Sequence, residues 1–145
     1  MDEITKGVKL VKEDLTAYGG FRYTEGEWAE ATGQGTALCG DGMLHFYRDA
    51  LLAEMLNPIH GGYAENGRMF EVEVEGPVET DRGLKYGAKR LRLVREIKRE
   101  QPTIEQRVEF ARLCADWAEE AALGPRWEPD DIRLKLRDLA EMACA

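Results

Sequence analysis

Of the 15 glycines in this chain of 145 residues, all but Gly124 precede residue 88. A glycine inside a helix costs about 1 kcal/mol relative to alanine, so a segment this rich in glycine is poorly suited to long helices and well suited to turns between short strands. From Val8 to about Ile97 the local pattern agrees, with β-type runs broken at Gly19-Gly20, Gly26, Gly33, Gly35, Gly40, Gly42, Gly61-Gly62, Gly76, Gly83 and Gly87. After Gln101-Pro102 the pattern changes to helical. The expected class is therefore α+β: an antiparallel sheet with one short packed helix over residues 1–100, then a C-terminal helical hairpin over 103–145. Both parts are expected to share one core in a single domain, because 145 residues match one typical domain.

The clearest strand is Met69 to Val74. Phe70, Val72 and Val74 alternate with Glu71 and Glu73, which puts an apolar row on one face and carboxylates on the other. A second strand runs from Arg90 to Ile97. Strict alternation there groups Leu91, Leu93 and Ile97 with Arg95, and turns Arg90, Arg92 and Glu96 mostly away. The short Glu79 to Gly83 connection lets the two strands pair. Between the strand-like runs, Asp49 caps a helix formed by Ala50 to Leu56, which Asn57-Pro58 ends and which is expected to lie on the sheet through Leu51, Leu52, Met55 and Leu56.

Thr103-Ile104-Glu105-Gln106 has capping-box spacing. The helix that follows carries a stripe of Ile104, Val108, Ala111, Ala115 and Ala118, widened by Phe110, Leu113, Cys114 and Trp117, and is expected to be substantially buried. A last helix opens at Pro129-Asp130-Asp131, with Ile132, Leu136, Leu139 and Ala143 at helical spacing.

The net charge of −8 favours basic partners and disfavours direct contact with nucleic acid or an anionic membrane. Cys39, Cys114 and Cys144 lack any C-x-x-C pairing, so reduced, partly buried thiols are expected rather than a disulfide framework or a zinc ribbon. Met1-Asp2-Glu3 is acidic where a signal peptide is basic, and no apolar run approaches the roughly 18 residues of a membrane span. A cytoplasmic location is expected.

Functional groups are densest from Leu38 to Asp49. A glycine turn, a short strand and a helix start lie together there, a geometry that can present backbone N–H groups to an anion. Gly40 and Gly42 lack the lysine and hydroxyl of a phosphate loop, so an ordinary turn explains them as well. The candidate ligand-binding positions are Gly40, Gly42, Asn57 and His60. The candidate catalytic groups are His45, Tyr47, Arg48 and Asp49. Cys39, His45 and His60 fit no compact zinc spacing, Asp41 and Asp49 read as turn and cap residues, and neither a metal nor a cofactor is expected. The basic run Lys89-Arg90, Arg92, Arg95, Lys98-Arg99 reads as cross-strand partners for Glu71, Glu73 and Glu75 rather than as a phosphate surface.

Several of these stretches together resemble a family of small uncharacterised bacteriophage and prophage proteins. They are Leu38 to His45, Leu51-Leu52-Ala53 with Leu56 to His60, Glu71 to Gly76, Gly83 to Gly87, Leu91 to Ile97, and Glu105 to Ala111. Met43 stands where an aromatic residue is usual in that family. The resemblance runs from Val8 to Ala122 and implies a phage accessory protein in the host bacterial cytoplasm.

Joined to the charge, it suggests a non-enzymatic acidic protein-binding module, such as an inhibitor of a host or anti-phage defence protein with a basic surface. The alternative is a small enzyme or nucleotide-binding module built around residues 40–49. The order of strand, helix and strand there is loosely similar to half of an ADP-ribosyltransferase-like fold. The oligomeric state is left open.

Overall fold

A computed structural model describes residues 5–122 other than 18, 39, 58–61, 64 and 82. The chain divides into two compact units, Met1–Gln101 and Pro102–Ala145. The first holds β1 (Lys6–Val11), β2 (Trp28–Glu30), β3 (Leu44–Phe46), α1 (Ala50–Leu56), β4 (Arg68–Asp81) and β5 (Lys85–Ile97). The second holds α2 (Ile104–Ala122).

The long β4–β5 hairpin is the frame of the first unit. Its turn is tied by Thr80, whose hydroxyl donates to the Lys85 carbonyl and accepts from the Gly83 N–H, both at 3.0 Å. β1 pairs antiparallel with the outer edge of β4. The outer edge of β5 takes two short strands in succession, β3 against Tyr86–Ala88 and β2 against Arg90–Arg92. Just past β3, Tyr47 exchanges two backbone hydrogen bonds of 2.8 Å with Val8, so the ladder β1–β4–β5–β3 returns to its first strand. Closing a sheet on itself removes free edges and encloses one face.

The closure depends on Gly7. A Cβ there would lie 2.6 Å from the Phe46 ring and would also strike the Tyr47 carbonyl.

The enclosed cluster contains Phe46, Phe70, Val72, Val74, Tyr86, Leu91 and Leu93. The alternation expected in β4 is present: Phe70, Val72 and Val74 are buried, while Glu71 and Glu73 are half-buried on the opposite face. A second cluster of Val8, Leu10, Tyr47, Tyr63 and Met69 packs with α1 through Ala53.

Strict alternation in β5 fails at one point. Between the pairs Glu71↔Arg95 and Val72↔Leu93 the register shifts, leaving Val94 as an extra, exposed residue. A bulge of this kind reverses the facing of everything beyond it. Arg95 therefore turns to the carboxylate face rather than sharing a side with Leu91 and Leu93, and Ile97 packs on the second cluster.

The expected cross-strand pairs follow: Arg95 holds Glu71, Arg92 holds Glu73, and Arg90 holds Glu75 and Glu30. Arg90 and Arg92 also sit 4.9 Å from the Trp28 ring centroid. Such stacking hides indole surface under guanidinium groups.

α1 begins as expected, with the Asp49 carboxylate accepting from the Leu52 N–H at 2.9 Å. Its buried face differs in part: Leu52 and Leu56 pack on the second cluster as expected. Leu51 is exposed and Met55 half-buried, while Ala53 and Glu54 are buried. The reason is polar: Arg99 reaches Glu54 with two hydrogen bonds, of 2.7 and 2.8 Å, and turns that side of the helix inward.

In the second unit the capping box is formed, with the Gln106 N–H donating to the Thr103 hydroxyl at 3.1 Å and the Gln106 side chain accepting from the Thr103 N–H at 2.9 Å. Val108 and Ala115 are buried and Ala111 and Phe110 half-buried, but Ile104, Leu113, Cys114 and Ala118 are exposed. The apolar stripe of α2 is therefore narrower than its sequence suggests, and Cys114 is a free, exposed thiol rather than a partly buried one. The expected last helix, the Trp117 side chain, and Cys39 and Cys144 lie outside the described residues. No helix among the described residues is long and apolar enough to cross a membrane.

Candidate functional site

β1 and β3 meet through one backbone pair, Val8 with Tyr47. Two residues before Tyr47, the carbonyl of His45 takes the ammonium of Lys9 in place of a strand partner. Here a side chain from β1 satisfies an edge group of β3 that regular pairing would otherwise hold.

A cavity of about 830 Å³ opens beside this junction, a size suited to a small ligand. Lys9 and Leu10 of β1, Leu44 and His45 of β3, and Tyr23, Tyr47 and Tyr63 contribute to its wall. Gly19-Gly20-Phe21 and Gly40-Asp41 also line it, as do Asn57 and Lys85.

Lys9 is the unusual member of this set. It is 7% exposed, and its ammonium lies 5.3 Å from the Tyr23 ring centroid. Burial, and then the charge of Lys85, bring its pKa down to about 7. His45 responds in the same sense: burial, then Lys85 and Lys9, lower it to about 4, so the imidazole is neutral at pH 7. Its Nε2 is buried with no hydrogen-bond partner among the described residues. Tyr23 and Tyr47 are held in their protonated forms by burial, then by Tyr63. Every one of these shifts opposes added charge of the kind the group carries. Asp41, which is exposed, is the carboxylate among the described lining residues.

The wall is braced from behind by Arg99. Besides the two bonds to Glu54, its Nη1 donates to the carbonyls of Tyr63 at 2.7 Å and Gly67 at 3.1 Å. One guanidinium thus ties the end of β5, α1 and the loop carrying Tyr63. At the other side Lys89 donates to the carbonyls of Gly35 and Gly42, the latter at 2.7 Å, and so fixes the loop that leads into β3.

Four of the sequence candidates, Gly40, His45, Tyr47 and Asn57, reach the cavity. Asn57 contributes there while its amide donates to the Glu54 carbonyl at 2.6 Å, and the Tyr47 hydroxyl donates to the Leu56 carbonyl at 3.4 Å. Three others do not line it. Asp49 is occupied as the cap of α1, Arg48 is exposed, and Gly42 is buried where a Cβ would lie 2.5 Å from the Gln34 carbonyl oxygen. His60 lies outside the described residues. Lys9, Tyr23, Tyr63 and Lys85 were not legible as site residues, since they come from four separate segments. The nearest signal was Lys9 itself, a cation amid the apolar run Val8 to Val11.

Among the described residues there is no group of three or more His, Cys, Asp or Glu placed to hold a metal ion. No curated protein and no solved structure matches the chain. A family model, described as a domain of unknown function, DUF7666, matches residues 5–105, which include the five strands, α1 and every described residue of the cavity. The chain belongs to the DUF7666 family.

Proposed function

We propose that the protein is a binding module for a small anionic ligand, taken into the cavity beside β1 and β3. The observation that carries this reading is the convergence of Lys9 and Lys85 on a cavity whose described lining offers one exposed carboxylate. A buried ammonium without a counter-ion is costly, and an incoming anion supplies the missing charge. The tyrosine walls add flat apolar surface of the kind a nucleobase or aromatic acid can pack against. This is the ligand-binding form of the module expected around residues 40–49, recentred on Lys9 and Lys85.

The test is a thermal-shift panel of nicotinamide nucleotides, cyclic nucleotides and aromatic carboxylates. A ligand at 100 times its Kd adds about 2.7 kcal/mol of stability. Lys85→Ala is expected to lose that shift. A panel in which no anion moves the melting temperature overturns the reading. The nicotinamide compounds also test the ADP-ribosyltransferase-like analogy.

The net charge of −8 and the phage-protein resemblance support a second reading. In it the chain is a phage accessory protein in the bacterial cytoplasm that docks on a basic host or defence protein. The row Glu71, Glu73 and Glu75 contributes little to such a face, because arginines already pair with each of its members. Capture of a basic partner that is released by salt is the expected outcome for that reading.

A further inference from the structure

We propose that the Lys9 amine captures the carbonyl group of an anionic aldehyde or keto acid as an imine, while Lys85 holds the ligand's anion. The inference rests on the ligand-binding reading above and adds a covalent step to it.

The geometry separates two lysines into two roles. Lys9 is buried at the cavity wall, its nitrogen over the Tyr23 ring and anchored by donation to the His45 carbonyl. A carbonyl acceptor engages an N–H and leaves the lone pair of a neutral amine unused. Among the described residues no carboxylate pairs with this nitrogen, and the nearby charged neighbour is Lys85, a second cation. A desolvated lysine beside another cationic group is the arrangement that yields a nucleophilic amine near neutral pH. Lys85, half-buried on the same cavity, is left to attract the ligand's anion.

Among the described residues, the remaining ionisable groups lining the site are His45, Asp41 and the hydroxyls of Tyr23, Tyr47 and Tyr63. His45 is neutral at pH 7, so it adds no third positive charge.

The step balances without an oxidant or reductant. The Lys9 nitrogen lone pair attacks the carbonyl carbon, a C–N bond forms, and the carbonyl π pair moves to oxygen. Both hydrogens of the neutral amine then leave with that oxygen as water, and a C=N bond remains. The reverse reaction with water returns the ligand and the free lysine.

The full chain is incubated at pH 7 with 4-formylbenzoate, reduced with borohydride and mapped by peptide mass. Labelling at Lys9 is expected to exceed that at any exposed lysine by roughly a hundredfold in initial rate, because an ordinary lysine is almost wholly protonated at that pH. Lys85→Ala should lower the yield about tenfold, and the uncharged 4-methylbenzaldehyde should label comparably poorly. Lys9→Arg keeps the charge and abolishes the adduct, with Lys9→Met serving the same purpose if arginine does not fit.

Label spread evenly over surface lysines, or label unchanged in the Lys9 variants, overturns the proposal. Thermal shift by plain benzoate separates the two readings. A benzoate shift without a Lys9 adduct sinks the covalent step alone, whereas neither shift nor adduct sinks both.

Discussion

Lys9 places a cation where the fold is least able to solvate it, and its effect on stability has a definite sign. Its pKa falls from 10.5 to about 7 on folding. Between those values the unfolded chain keeps a proton that the folded chain has released, so stability rises with pH across that window and the penalty is full below pH 7. Lys9→Met is therefore expected to stabilise the ligand-free protein at pH 6, by an amount on the order of a few kcal/mol less the lost bond to His45. The gain should shrink toward pH 10.5, and urea midpoints of the variant and wild type at pH 6 and pH 10 measure it. His45 acts in an adjacent window. Its pKa drops from 6.5 to about 4, so the unfolded chain takes up a proton that the folded chain refuses, and stability falls as pH drops through that range. Both effects were illegible in the sequence. Lys9 shows only as a cation within the apolar run Val8 to Val11, and the cause of both shifts is burial by segments distant in sequence.

Elements governed by local rules form as their sequences predict. Asp49 as the cap of α1 and Thr103 with Gln106 as the capping box of α2 depend on residues three positions apart, and both are formed. The β4–β5 hairpin and the pairs of Arg90 with Glu75 and Arg92 with Glu73 follow from alternation and a short connection, whereas Arg95 meets Glu71 only beyond a bulge. Alternation failed at Val94 because a bulge inserts one residue, and nothing in that residue's type announces it. The inward face of α1 likewise departs from the apolar pattern, since Arg99, from beyond β5, pairs with the buried Glu54. Removing that partner strands a carboxylate whose side chain is 3% exposed. Arg99→Met is expected to cost about 3–5 kcal/mol and to loosen the Tyr63 wall of the cavity, which denaturant unfolding and Tyr63 amide exchange would register.

At the scale of the whole molecule, the closure of the sheet is the feature that creates the site. Gly7→Ala forces the β1–β3 junction apart and is expected to cost about 1–3 kcal/mol in chemical denaturation, with ligand-induced stabilisation reduced alongside. Among the described residues, both apolar clusters of the first unit are drawn from Val8 to Ile97. A fragment ending at residue 105 is accordingly expected to unfold cooperatively and to keep the ligand response. Failure of that fragment to fold would instead favour the core shared with the C-terminal helices that the sequence suggests. Local sequence patterns specify the α+β class, the change of character at Gln101-Pro102, the caps, and the alternating faces of β4. Each of these depends on neighbours within a few residues or on a two-residue period. The meeting of Tyr47 with Val8, the burial of Lys9 near Lys85 and His45, and the cavity beside them arise from long-range packing. Those outcomes depend on which distant strands exclude water from one another, a property that no local pattern encodes.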